Sequence, residues 1–475
     1  MGPQSDRAAP WRRGSLVLTK PARPRPRGDR NQKQQTRTVP GFAARTAATR
    51  LLAAVVDAHT PLDGLTDAEH GHPQYRALDE RDRGLVRAIL VSALRHRVTI
   101  ETLIAGRLDR PLPPNARTLS HVLHVALAQI LFLDVPDSAA VDLAVEQAKA
   151  DPRTRRFASL VNAVLRGVAR EKADALSSTL ASVNDAPDWF AARLRDDHGP
   201  AEAQAIMSAH RLEPPIDFTV KSDPDRWAEA FGGIVLPTGS VRLARLDRAV
   251  GELPGYADGE WWVQDAAASL PARLLGDVSG KVVADLCAAP GGKTAQLAQT
   301  GARVTAVDIS ANRLNRLATN LTRLKLDAET LVADLLAWEP STRFDAVLLD
   351  APCSSTGTVR RHPDVPWTKS EADIEKLADL QARLLRRAAG FVKPGGVLVF
   401  SNCSLDRREG EYLVAQFLAE TPGVTLDPIR PDEFPGIAPF VTAEGLLRTT
   451  PAGLRVETPE LSGLDGFFAA RFRII

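Results

Sequence analysis

The chain has 475 residues, 44% of them hydrophobic and 25% charged, and a formal net charge of +2. That is too long for one ordinary core and too apolar for a disordered or fibrous chain, so a soluble protein of two or three domains is expected. No apolar run approaches the roughly 20 residues of a membrane span and the N-terminus lacks the apolar stretch of a secretory signal, so the expected location is cytoplasmic, with no membrane partner.

Residues 1 to 40 hold ten Lys or Arg against two Asp or Glu, giving +8 and leaving 2 − 8 = −6 for the rest. Pro21, Pro24 and Pro26 alternate there with Arg23, Arg25 and Arg27. Such a segment cannot build a core; a disordered basic arm is expected, either simply solvated or in non-specific contact with RNA.

From 41 to 175 apolar residues recur at three and four, in Leu51 to Val56, Leu85 to Leu94 and Leu119 to Phe132. That period predicts an all-helical domain. Pro111, Pro113 and Pro114 separate two helices, and Pro136 with Asp137 opens another. His121 and His124 lie one turn apart without a third ligand, so core or surface histidines are expected rather than a metal pair.

Residues 176 to 255, with the runs Ile216 to Val220 and Val241 to Arg245, are expected to form a small α/β connector. From 256 to 475 short apolar strands alternate with helical stretches: Val282 to Leu286, Arg303 to Asp308, Ala346 to Asp350 and Gly396 to Phe400. The alternation predicts an α/β fold of Rossmann-like, doubly wound type with a mostly parallel sheet.

The first of these strands runs into Cys287-Ala288-Ala289-Pro290-Gly291-Gly292-Lys293-Thr294 and then a helix. Glycines let the backbone approach a ligand, but a phosphate-binding loop would open with glycine where this chain has Cys287. Asp308 ends the second strand, placed for two ribose hydroxyls, and Asp334 follows the run Thr330 to Ala333, placed for an adenine amino group. Together these make the layout of a nucleoside-containing cofactor site.

Cys287, Cys353 and Cys403 are the three cysteines, too few and too scattered for a disulfide framework or a zinc site. Reduced thiols and no metal are expected. Cys353 follows Asp350 on one strand end and Cys403 follows Asn402 on another, over the crevice where open α/β sheets bind ligands. A thiolate there suits addition to carbon 6 of a cytosine, which makes carbon 5 nucleophilic toward a sulfonium methyl group. Lys293 and Arg360 are placed to favour the thiolate, and Asp350 to hold the pyrimidine edge. These residues leave the nucleophile undecided between Cys353 and Cys403.

From about residue 45 onward the chain resembles the RNA 5-methylcytosine methyltransferases, and within them the bacterial ribosomal RNA methyltransferase B group. The resemblance rests on Asp285 to Thr294, on Asp350 to Gly357, on Val359-Arg360-Arg361-His362-Pro363-Asp364 with Trp367, and on Asp465-Gly466-Phe467-Phe468. The helical domain is similar to the NusB-type RNA-binding fold, through Val161-Asn162-Ala163-Val164-Leu165-Arg166. The resemblance implies S-adenosylmethionine held by Cys287 to Lys293 with Asp308, Asp334 and Asp350, Cys403 as nucleophile, and Cys353 assisting product release. It also implies transfer to carbon 5 of a cytosine in 16S ribosomal RNA; transfer RNA or another ribosomal site is the alternative, and a non-catalytic assembly factor the alternative of another class. A monomer is expected. Asn402 stands where Thr is usual, Ser138 where His is common, and Thr219-Val220-Lys221 where Arg-Val-Asn is usual.

A cytosine within a duplex cannot present carbon 6 to a thiol, so the target must be unpaired or flipped out. Arg360, Arg361, His362 and Trp367, just past the reactive loop, are the expected exposed RNA contacts, with a core position the alternative for Trp367.

Overall fold

The computed structural model describes residues 40–113 and 115–475; the expected arm, residues 1–39, and Pro114 lie outside them. The N-terminal domain is helical as expected, with long helices at Phe42–Ala58, Glu80–Arg95, Arg117–Phe132, Asp137–Ala150 and Ala158–Arg170. Arg117–Phe132 is its centre: Leu119, Leu123 and Leu127 repeat at four and are fully buried, and the opposite side is buried too. His121 and His124 are core residues on that helix. His121 Nε2 meets Asp57 Oδ2 at 2.9 Å, and His124 Nδ1 donates to the Ser120 carbonyl at 2.8 Å. Burial drives the His124 pKa down to about 3, so its ring packs as a neutral group.

The helix Asp188–His210 breaks at Gly199, which has φ 78° and precedes Pro200, a pair that removes an amide donor and turns the chain. Four antiparallel strands follow: β1 Ile216–Val220, β2 Ile234–Val235, β3 Val241–Leu243 and β4 Trp261–Val263, in the order β2-β3-β1-β4. The connector therefore runs past the expected boundary at 255, because Trp261 and Trp262 pair with β1. Its stability comes from Phe218, Trp227 and Trp261, with Phe218 and Trp261 edge to face at 4.9 Å.

The C-terminal sheet contains β5 Val282–Leu286, β6 Arg303–Asp308, β7 Glu329–Val332, β8 Phe344–Asp350, β9 Val392–Asn402, β10 Val424–Leu426, β11 Leu447–Thr449 and β12 Phe467–Ile474. Its order is β10-β12-β9-β8-β5-β6-β7, with β11 paired to β12. Strands β5 to β9 are parallel and β10 to β12 antiparallel, so the sheet is mixed at one side. Central strands are buried on both faces beneath the crossover helices Ala311–Leu324 and Glu371–Gly390. The strand order reverses between β5 and β8, which opens a crevice at their carboxyl ends. Among the described residues no helix is long and apolar enough to cross a membrane.

Candidate active site

Because β5 to β9 run parallel, Leu286, Asp308, Val332, Asp350 and Asn402 all end at one edge of the sheet. The loop after β5 bends at Cys287, a non-glycine residue at φ 61°, and at Gly291, at φ 103°. A Cβ on Gly291 would lie 2.6 Å from Leu317 Cγ, so glycine lets the loop seat against the helix Ala311–Leu324 that follows β6. Burial and the neighbouring Asp308 push the Cys287 thiol up to about 12, so it stays protonated and inert.

Asp308 is buried beneath this loop. Ala289 N donates to its Oδ2 at 3.2 Å and Ser310 N to its Oδ1 at 2.9 Å, while Arg313 stands 3.5 Å away. Asp334 is exposed and accepts from Leu336 N at 3.0 Å, the turn-capping role open to any strand-end aspartate. Between these two acids Ile309 is 70% exposed and Val332 55% exposed. These two apolar side chains at the tips of β6 and β7 form the face an adenine ring would cover; an apolar residue directly after a strand-end acid was the signal for Ile309.

Asp285, fully buried inside β5, accepts from Thr294 Oγ1 at 2.6 Å through Oδ2, while its Oδ1 has no partner among the described residues. An orphaned acceptor below a glycine loop, with exposed apolar side chains beside two acids, fits a cofactor that brings an amine, a ribose and a purine.

On the other side of the switch point β8 delivers Asp350, whose Oδ2 accepts from Lys293 Nζ at 2.8 Å and whose Oδ1 accepts from Ser401 Oγ at 2.9 Å. The Lys293 ammonium also lies 5.0 Å from the centre of the Phe467 ring. Cys353 Sγ and Cys403 Sγ are 3.3 Å apart, both partly exposed, with Ser355 Oγ 3.6 Å from Cys403. Ser355 sits in the left-handed region at φ 59°, which turns its hydroxyl toward the thiols.

The two thiols are not equivalent. The hydrogen bond from Cys353 and the Ser355 hydroxyl lower Cys403, with the Lys293 charge adding to the effect. Donating that hydrogen bond, burial and the charge of Glu409 hold Cys353 well above its ordinary value.

Glycines close the site. Gly357 N donates to the Cys403 carbonyl at 2.9 Å and Gly466 N to the Gly357 carbonyl at 2.8 Å, an approach with no room for a Cβ on Gly357. Asn402 braces the same turn, its Oδ1 accepting from Ser404 N at 3.0 Å and its Nδ2 donating to the Glu409 carbonyl at 2.6 Å. Ser355, Ser401 and Glu409 went unread in the sequence, where nothing marks them as facing the cysteines.

Of the residues expected to be exposed RNA contacts, Arg360 is buried, while Arg361, His362 and Trp367 are half-buried. Arg360 is 2% exposed, with Nη1 donating to the Leu464 carbonyl at 3.4 Å. Arg361 donates to Asp265 at 2.6 Å, Asp465 at 3.1 Å and the Pro215 carbonyl at 3.0 Å. His362 pairs with Asp63 at 3.3 Å, and Trp367 packs on the helical domain with Nε1 donating to the Leu94 carbonyl at 3.2 Å. The segment thus bonds mainly to other parts of the chain.

Residues 272–473 match the 16S rRNA methyltransferase RsmB/F family, and residues 43–170 match the NusB family. A ribosomal RNA small subunit methyltransferase B of Xylella fastidiosa (strain Temecula1) is 38% identical over 446 residues, covering 91% of this chain and 98% of its own. That of Xanthomonas campestris pv. campestris is 37% identical over 449 residues, covering 90% and 97%. The solved structure of NSun6 from Pyrococcus horikoshii with SFG shares the fold, at 19% identity and a TM-score of 0.52 over 61% of this chain and 98% of that one. With its paired strand-end loops and its helical N-terminal domain, the chain belongs to the 16S rRNA methyltransferase RsmB/F family and is an S-adenosylmethionine-dependent RNA methyltransferase.

Proposed function

We propose that the protein methylates carbon 5 of a cytosine in 16S ribosomal RNA through a covalent bond to Cys403. The observation that carries this reading is the pair of thiols 3.3 Å apart at the ends of β8 and β9, beside Asp350 and Lys293. S-adenosylmethionine supplies an electrophilic methyl group at the crevice between β5 and β8.

Asp350 hydrogen-bonds the pyrimidine edge and fixes the ring over the thiols. Cys403, the more acidic thiol, attacks carbon 6 as the thiolate; the new S–C6 bond moves the ring's electron pair to carbon 5, which takes the methyl group. Water then takes the carbon-5 proton, the C5–C6 double bond re-forms, and the S–C6 electron pair returns to Cys403 as the thiolate, which the Cys353 thiol stabilises by donating a hydrogen bond to it across 3.3 Å. Lys293 balances the negative charge at the thiols throughout.

The test is transfer of labelled methyl to a 16S rRNA transcript by wild type, Cys403→Ala and Cys353→Ala, with protein–RNA adducts resolved on a denaturing gel. Loss of both methyl transfer and adduct in Cys403→Ala, with accumulated adduct in Cys353→Ala, is expected. Exchanged phenotypes reverse the roles, labelling of transfer RNA alone refutes the substrate, and absence of any transfer refutes the reading.

A further inference from the structure

The loops that present Cys353 and Cys403 are held together by one group that does not touch either sulfur. Glu409 closes the short turn Arg407–Glu409 after β9 and is fully buried. Its Oε1 accepts from Ser354 N at 2.9 Å and Gln381 Nε2 at 2.7 Å, and its Oε2 from Ser354 Oγ and Ser404 Oγ, each at 2.5 Å. Ser354 follows Cys353 and Ser404 follows Cys403, so one carboxylate grips both loops at the residue next to each thiol. Gln381 Oε1 in turn accepts from Asn402 Nδ2 at 3.1 Å, and Thr356 Oγ1 accepts from Leu405 N at 2.9 Å, which ties the same two loops a second time.

All four donors to Glu409 are neutral, and no cation is within salt-bridge distance of it among the described residues. Burial pushes the Glu409 carboxyl above its ordinary value, while the hydrogen bonds from Ser354, Ser404 and Gln381 hold it down; once ionised, its charge in a poorly polarisable interior reaches its neighbours. Ser354, next to Cys353, donates to Glu409 twice, whereas Ser404, next to Cys403, donates once, and Cys403 has the Cys353 sulfur at 3.3 Å and the Ser355 hydroxyl at 3.6 Å.

We propose that the Glu409 carboxylate is a positioning group for the cysteine pair: it holds the two loops in register and reserves ionisation for Cys403. This rests on the reading of Cys403 as nucleophile. With the charge of Glu409 behind it, Cys353 remains a thiol and donates to Cys403 across 3.3 Å. The same proton arrangement suits a group that stabilises the departing Cys403 thiolate when the S–C6 bond breaks. The opposite shifts of the two thiols agree with it.

The experiment is alkylation of the full chain by iodoacetamide, without RNA, from about pH 6 to pH 10, with initial rates at each cysteine read by peptide mass mapping. In wild type Cys403 reacts with a midpoint below that of Cys353. Glu409→Gln keeps the shape and one acceptor but removes the charge, so the Cys353 midpoint falls and the gap narrows by at least about one pH unit. Glu409→Asp keeps the charge and restores the gap. An unchanged gap in folded Glu409→Gln protein overturns the proposal. So does the reverse order in wild type, which is read whether or not a variant folds. Because alkylation needs no RNA, the expected order without methyl transfer would refute the catalytic reading and leave the positioning role standing.

Discussion

Asp285→Asn should raise the stability of the protein more at pH 8 than at pH 5. Asp285 is fully buried in β5, with Thr294 Oγ1 donating to one oxygen and the other oxygen unpartnered. Burial pushes its carboxyl from 3.8 up to about 7. The unfolded chain holds the ordinary value, so the folded state binds the proton more tightly, and this group's contribution to stability grows as pH falls from about 7 toward 4. At pH 8 both states are ionised and the folded state carries the whole penalty, 3.2 pH units or roughly 4 kcal/mol. At pH 5 the folded carboxyl is protonated and roughly 3 kcal/mol of that penalty is relieved. Asparagine keeps an acceptor for Thr294 and has no charge to bury, so its advantage over wild type should shrink by roughly 3 kcal/mol between pH 8 and pH 5. Urea unfolding of both proteins at the two pH values, each with its own slope, measures this. An advantage that does not change with pH would refute the reasoning, because it would mean that Asp285 titrates alike in both states.

Arg242 makes two hydrogen bonds to Asp217, at 2.6 and 2.7 Å, with both side chains fully buried, so Arg242→Met strands a carboxylate and should cost about 3 to 5 kcal/mol in urea unfolding. Phe468 is fully buried on β12, 6.2 Å from the Phe400 ring and under the Arg448 guanidinium at 4.7 Å; Phe468→Ala should cost about 3 to 5 kcal/mol, read by the same assay. The Asp63 carboxylate raises the His362 pKa, so the stabilisation from this pair is fully present below the ordinary histidine value and is lost as pH rises through the raised one. The stability difference between wild type and Asp63→Asn should therefore be largest in mild acid and fall toward zero at alkaline pH; a constant difference would sink the assignment.

Periodicity was legible wherever one rule governed a stretch. The helix Arg117–Phe132 and the strands β5 and β6 were readable because apolar spacing and flanking turns agreed. β12 was not, because Phe467, Phe468, Ala469 and Ala470 are all buried and show no alternation. β4 was missed for a different reason: three residues are too few to carry a period, and their partner β1 lies more than forty residues earlier. In the site, Asp350 ends β8, Cys353 and Cys403 follow the ends of β8 and β9, and Lys293 opens the helix after β5, all places that the strand-and-loop pattern marks in the sequence. Glu409 was not found, since a glutamate between two arginines and a glycine reads as surface, and only its four donors explain its burial.

Arg360, Arg361 and His362 show where charge misleads. An Arg-Arg-His run reads as a cationic surface, yet its acceptors come from far away in the chain: Asp265 and Asp465 for Arg361, Leu464 O for Arg360, Asp63 for His362. The segment begins directly after Gly357, which is hydrogen-bonded to Cys403, and it continues to Asp364, which accepts from Leu62 N at 2.9 Å, and to Trp367, whose carbonyl accepts from His59 at 2.8 Å. Arg95 of the helical domain donates to the Arg360 carbonyl at 2.8 Å. A single short stretch thus joins the reactive loop to the helical domain on one side and, through Arg361 and Pro215, to the connector on the other. Arg361 and His362 are paired with acids from distant parts of the chain, while Arg360 Nε and Nη2 are buried without a partner among the described residues.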